Sequence, residues 1–253
     1  MNGQNVQRRI VQFARPVKRV AALAHNFRNA GIAGLSIAVL CGAAQSPPAA
    51  DAAKTTSASS LKRANFRTET TSRDAQRLAD WVLVNADNKA LPFIVIDKVA
   101  AKAYVFYNTG LLRGAAPVLL GLARGDDSVP GIGERRLATI KDSERTTPAG
   151  RFEAALGHDF DQDILWVDYA SALSLHRVIV GNPKDRRHAR LASPTPLDNR
   201  VSYGCINVPV SFYNNIVEPI FRNTVGIVYI LPETKSLEEV FPIGLRRPFR
   251  PGD

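Results

Sequence analysis

The position of greatest chemical potential in this chain is Cys205, in the segment Ser202-Tyr203-Gly204-Cys205-Ile206-Asn207. A cysteine acts as a nucleophile through its thiolate, so its reactivity depends on surroundings that favour ionisation. Two local features offer this. A helix is expected to begin near Pro209, because Phe212, Ile216 and Ile220 recur at i, i+4 and i+8, with Pro219 ending or kinking it early. A cysteine just ahead of a helix N-terminus feels its free N–H groups and the positive end of its dipole. Gly204 permits a sharp turn, and the N–H groups of such a turn can serve as oxyanion donors. Taken alone, a Gly-Cys pair is equally compatible with a small buried hydrophobe.

A thiolate nucleophile works with a base that takes its proton and returns it to the leaving group. The candidates are His158, His176 and His188, since His25 falls in the basic N-terminal region. His176 lies in Leu173-Ser174-Leu175-His176-Arg177-Val178-Ile179-Val180, where alternation places Ser174, His176 and Val178 on one face of a strand. A strand aims an imidazole well. His188 stands among Lys184, Asp185, Arg186 and Arg187 in an expected exposed loop, and His158 borders an acidic turn. A lone histidine is ordinarily a packed or solvated side chain, so on residue types alone the three candidates stay open, with the strand favouring His176 over His188 in its basic loop.

Around these residues the chain reads as mainly β. A helix is expected from residue 72 to about 85, with a polar cap at Ser72 and Leu78, Trp81 and Val82 at helical spacing. Residues 93–96 and 104–107 suggest a hairpin closed by Asn108-Thr109-Gly110, with 117–120 continuing the sheet. Further strands are expected at 152–156, 164–169, 173–180 and 225–231, with no alternating strand–helix rhythm and no internal repeat. The glycines at 125, 131 and 133 lack the third glycine and the helix of a dinucleotide site. Residues 159–163 begin like a calcium loop, but Ile164 and Ala170 stand where its glycine and glutamate belong, so a polar turn is expected. No metal site and no cofactor are expected.

The ends differ from the middle. Residues 1–29 carry six basic residues and no acid, residues 30–44 form an apolar run, and small residues follow. Basic, then apolar, then small is the order of a secretory signal. The run is shorter than the ~20 residues that span a bilayer, so cleavage is expected over anchoring, and membrane attachment only if the segment stays uncleaved. Residues 1–52 are therefore read as signal peptide or signal anchor, 53–71 as a flexible linker, 72–90 as a helical lead-in, 91–232 as the main domain, which the resemblance given below implies to be catalytic, and 233–253 as a basic tail. Cleavage would also remove Cys41, leaving Cys205 as the single thiol, and would lower the net charge from +10 to +5. That mild excess suits an anionic envelope surface, and no recognition motif supports nucleic acid.

The cysteine segment, His176-Arg177 upstream and Thr147-Pro148-Ala149-Gly150-Arg151-Phe152 together resemble the L,D-transpeptidase (YkuD-type) family, over roughly residues 92–231. The resemblance implies a β-sandwich-like catalytic fold with one N-terminal helix and a short helix after the catalytic cysteine. It implies Cys205 as nucleophile and His176 as base and acid, with Ser202, Tyr203, Gly204 and Asn207 supporting the loop and any oxyanion. Peptidoglycan stem peptides would be the partners, met by Arg177, Arg190 and Arg200. The activity would be crosslinking through a thioester, with hydrolytic trimming or a non-catalytic wall-binding module as alternatives. Two departures stand out. Tyr203 replaces the family's usual histidine, and 28 residues separate His176 from Cys205, a longer interval than usual. The extra residues, 182–199, are expected to form an exposed loop lining the substrate groove, with Arg186, Arg187 and Arg190 attracting carboxylates.

The export reading places a mature N-terminus between Ala44 and Lys54. N-terminal sequencing of protein from the cell envelope checks this, and a membrane-held chain still beginning at Met1 would make the segment an anchor.

Overall fold

The hydroxyl of Ser72 accepts a hydrogen bond from the Ala75 N–H at 3.1 Å and so caps helix α1, Arg73–Val84. Its buried side is Ala75, Leu78, Ala79, Val82 and Leu83; Leu78 and Val82 lie on the expected apolar stripe, whereas Trp81 is only half-buried. These coordinates come from a computed structural model, which describes residues 62–159 and 161–243. The export segment, Cys41, Phe160, the first part of the expected linker and residues 244–253 lie outside the described residues.

Strands β1 (Phe93–Asp97) and β2 (Lys102–Phe106) pair antiparallel, joined by residues 98–101. Asn108-Thr109-Gly110 instead turns β2 into β3 (Leu112–Pro117), a strand hidden in sequence by the poor β-formers of LRGAAP. The expected strand at 117–120 does not continue that sheet. β4 (Leu120–Gly121) leaves it to pair in parallel with a later strand, β8 (Arg200–Ser202), after β5 (Gly150–Asp159), β6 (Gln162–Asp168), β7 (Leu173–Arg177) and helix α2 (Arg187–Leu191). The chain continues through β9 (Ile206–Val208), α3 (Val210–Phe212), a π-helical turn (Tyr213–Val217), α4 (Glu218–Phe221), β10 (Gly226–Ile230) and α5 (Leu237–Val240).

The main sheet has eight strands in the order β3-β2-β1-β10-β5-β6-β7-β9, with β1–β10 and β7–β9 parallel and the other pairs antiparallel. Its two halves share one core. Ile94 and Ile96 of β1 meet Leu165 of β6, Leu175 of β7 and Ile206 of β9, with Phe212 and Phe221 from the helices. The opposite face of β1, β2 and β10 carries Phe93, Val95, Tyr104, Phe106 and Tyr229 against α1. Two-sided burial explains why β1 reads as a continuous apolar run rather than an alternating one. The mainly β, sandwich-like expectation therefore holds.

Two boundaries move. Ala64 and Phe66, expected in a linker, are buried in the α1 core, and the Asn65 N–H donates to the Gly110 carbonyl at 2.9 Å. Leu237 and Phe241, expected in the basic tail 233–253, are buried there too. Pro219 neither ends nor breaks the helical run. Five π-helical residues precede it, a local widening that accommodates an imino acid without an N–H.

The strand link 98–101 places a lysine in the interior. Lys98 Nζ is completely buried and donates to the Gly125 carbonyl (2.7 Å), Asp126 Oδ1 (2.7 Å) and the Thr147 carbonyl (2.8 Å). Asp126 also accepts from the N–H groups of Glu233, Thr234 and Lys235. Burial pushes the Asp126 carboxyl up, and Lys98, Thr234 and these N–H groups reverse it to well below the usual range. Lys98→Met would leave Asp126 buried without its counter-ion. The expected loss is about 3–5 kcal/mol of stability, read by urea unfolding.

Candidate active site

Strands β7 and β9 run side by side in parallel, with Leu175 opposite Ile206 and His176 opposite Asn207. This register brings Ser174, His176, Cys205 and Asn207 together. Ser174 Oγ lies 3.5 Å from Cys205 Sγ and can donate to it, while the thiol can donate to the Ala172 carbonyl, also at 3.5 Å. Both Cys205 and His176 are half-buried, so solvent and a ligand can reach them.

The imidazole has a defined orientation. His176 Nδ1 is 2.7 Å from the Arg177 carbonyl, which can only accept, so Nδ1 carries a proton and Nε2 is the basic nitrogen of the neutral ring. Nε2 faces Asn207 Nδ2 at 3.3 Å. Burial pushes the Cys205 thiol up, but the His176 imidazole and the Ser174 hydroxyl more than reverse it, leaving the thiol below its ordinary value. Burial likewise pushes His176 down, and the interaction with Cys205 reverses it, so the imidazole lies above its ordinary value. Both shifts favour a thiolate–imidazolium pair.

The cysteine loop is held by backbone and hydroxyl groups. Gly204 has φ +134°, and a Cβ there would come within 2.9 Å of the Thr146 carbonyl oxygen, so only glycine fits without strain. Thr147 Oγ1 donates to the Gly204 carbonyl at 2.7 Å and accepts from the Gly121 N–H at 2.9 Å. Ser202 Oγ donates to the Cys205 carbonyl at 2.7 Å and accepts from the Gly204 N–H at 3.1 Å. The Gly204 N–H is therefore taken within the loop. Tyr203 is exposed, with the Arg145 guanidinium 3.9 Å above its ring.

Several expectations change. Cys205 does not adjoin a helix N-terminus, because the three residues of β9 intervene; the sulfur is acidified by His176 and Ser174 instead. The three arginines expected to meet substrate are committed within the protein. Arg177 bonds Asp163 and Asn214, and its guanidinium lies over the Tyr213 ring. Arg190 bonds the carbonyls of Asp185 and Asp198, closing its own loop. Arg200 pairs with buried Glu233 and the Lys98 carbonyl. Residues 182–199 are not a plain loop, since α2 lies within them. His188 is exposed on α2 and lines, with Leu191, Val210 and Asn214, a cavity of about 700 Å³ that neither His176 nor Cys205 borders. Arg187, noticed in sequence only as loop charge, reaches Asn207 Oδ1 at 2.8 Å. Ser174 was visible on the right face but without a partner. Among the described residues no cluster of His, Cys, Asp or Glu could hold a metal, and no helix is long and apolar enough to cross a membrane.

The rate of Cys205 alkylation by iodoacetamide is expected to rise with pH around a midpoint below that of an ordinary thiol. His176→Ala leaves burial as the main influence, so the midpoint should move up past the ordinary value. A midpoint unchanged by the substitution would show that the imidazole does not act on the sulfur.

No family model matches the chain, and no curated protein matches it. Solved structures do match. They include the helical cell shape determining protein Pgp2 of Campylobacter jejuni (13% identity, 65% of this chain and 58% of that one, TM-score 0.36). An L,D-transpeptidase of Enterococcus faecium also matches (14% identity, 55% and 49%, TM-score 0.32), as does one of Mycobacterium smegmatis (14% identity, 55% and 58%, TM-score 0.27). The alignments thus take in about half to three-fifths of the length of these solved chains.

Proposed function

We propose that this protein is an exported cysteine acyltransferase of the L,D-transpeptidase type, acting on peptidoglycan stem peptides through Cys205. The observation that carries the reading is the grouping of Ser174, His176, Cys205 and Asn207 along adjacent parallel strands, with a thiol held below its ordinary value. The cysteine motif and the Thr147–Phe152 segment, which the resemblance singles out, meet here through the Thr147 hydroxyl.

The steps follow from the groups present. The Cys205 thiolate attacks the carbonyl carbon between the L-centre of the donor stem and its terminal D-alanine, forming a C–S bond. The tetrahedral oxyanion collapses, the C–N bond breaks, and His176 Nε2–H gives its proton to the departing amine. An amine from a second stem then attacks the thioester, Nε2 takes its proton, and the thiolate leaves as the new amide forms. Water in place of that amine would give a trimmed stem. Ser174 Oγ–H is placed to donate to the sulfur while it is anionic. His176 supplies the base because β7 fixes its ring, whereas His188 is exposed on α2.

Purified muropeptides with the full chain test the reading. Cys205→Ser and His176→Ala should each reduce crosslink formation by at least about 10³-fold with unchanged thermal unfolding, and the double variant should lose little more than the worse single one. His188→Ala should change turnover less than about threefold. Loss of activity in His188→Ala with retention in His176→Ala would move the base to α2. Trimmed stems without crosslinks would assign water as the acceptor.

A further inference from the structure

The residues between β7 and β8 reach back to the reacting pair through one side chain. Arg187, the first residue of α2, donates from Nη1 to Asn207 Oδ1 at 2.8 Å. Asn207 is 1% exposed, and its Nδ2 lies 3.3 Å from the Cys205 carbonyl and 3.3 Å from His176 Nε2. Which end of the amide is oxygen follows from its neighbours. A guanidinium only donates and a carbonyl only accepts, so both partners dictate Oδ1 toward Arg187 and Nδ2 toward Cys205 and His176. The amide therefore offers an N–H, never an acceptor, to His176 Nε2.

We propose that Arg187 is a positioning residue for the Cys205–His176 pair: it holds the Asn207 amide with Nδ2–H toward His176 Nε2, so that the imidazolium paired with the thiolate gives up its proton and returns to the neutral ring. An imidazolium needs an acceptor at both nitrogens. The Arg177 carbonyl supplies one at Nδ1, while at Nε2 only the Cys205 thiolate can accept, and the fixed amide offers a second donor there instead. The positive charge of Arg187 acts in the same direction, lowering the basicity of His176. This opposes the thiolate, which by itself would hold the ring as a permanent imidazolium. A ring locked in that form could protonate a leaving amine but could not take the proton of the incoming one.

The charged groups around the ring are few. Cys205 faces it from the loop before β9. Arg187 faces it from α2, with Asp185 at 3.1 Å partly balancing its charge. Arg177 on β7 turns its guanidinium to Asp163 of β6 and to Asn214 of the π-helical turn. β9 contributes only the neutral Asn207.

The proposal rests on Cys205 and His176 being the reacting pair, and its test is independent of turnover. The His176 ring is titrated by ¹⁵N NMR in the full chain, with Cys205→Ser present throughout so that no thiol titrates alongside it. Arg187→Ala removes both the charge and the hold on the amide, and the His176 midpoint should rise by about 0.5–1 pH unit. Arg187→Gln keeps an N–H for Oδ1 without the charge and should give an intermediate rise. Asn207→Asp presents an acceptor whichever way it turns and should give the largest. Thermal unfolding of each variant checks the fold, and if Arg187→Ala does not fold, Arg187→Gln and Asn207→Asp still give the ordered pair. A His176 midpoint that stays put or falls in the folded Arg187 variants overturns the proposal. Muropeptide turnover by the unsubstituted chain keeps the two readings apart. Absent turnover with the ordered shift would refute the reaction, and turnover with an unmoved midpoint would refute the role of Arg187.

Discussion

A buried ammonium is tolerated only where its hydrogens are accepted and its charge is balanced, and in this protein that requirement falls on Lys98. Its three hydrogen bonds go to two different loops, at Gly125–Asp126 and at Thr147. Glu233 lies 3.7 Å from the same nitrogen and carries Arg200 on its other side. Two cations and two carboxylates thus close a neutral, solvent-excluded cluster. It ties together the β1–β2 link, the approach to β5, the start of β8 and the segment beyond β10. Thr147 is the outlet of this cluster toward the chemistry, since its carbonyl accepts from Lys98 while its hydroxyl donates to Gly204. The cysteine loop is therefore anchored to a charge cluster rather than to the apolar core alone.

That anchoring matters because the Cys205–His176 pair sits in a balance of opposed influences. Burial disfavours both the thiolate and the imidazolium, and their mutual attraction favours both. The outcome depends on geometry fixed to a few tenths of an ångström, which a mobile loop could not hold. Parallel pairing of β7 with β9 sets the sulfur and the ring beside one another, and Ser202 closes the turn that leads from β8 into β9. Gly204 is required by the same closeness, because any side chain would press on the Thr146 carbonyl.

The arginine-rich excursion between β7 and β8 shows how charge can mislead when read without contacts. Arg190 clamps the carbonyls of its own loop, and Arg187 bonds the Asn207 side chain beside His176. Neither offers a free guanidinium to a carboxylate from solution. The same holds for Arg177 and Arg200, whose partners Asp163 and Glu233 are distant in sequence.

The sequence by itself determined those features that repeat or act locally. Helix α1 was readable from Ser72 and the spacing of Leu78 and Val82, and most strands from their apolar β-formers. Residue chemistry singled out Cys205 and three candidate histidines, the family resemblance joined Cys205 to His176, and the alternation that places Ser174 on the face of His176 was visible as well. Only the tertiary structure decided what depends on strand register and on loops closing over long separations. Strand β3 exists because β2 offers it an edge, and β4 leaves the sheet because β8 claims it. Ser174 meets Cys205 across 31 positions, Arg187 meets Asn207 across 20, and Lys98 meets Thr147 across 49. Side-chain types limit what each of these residues can bond, but they do not say which partner will be there. That is set when the backbone excludes water and each buried polar group must take the neighbour the fold provides.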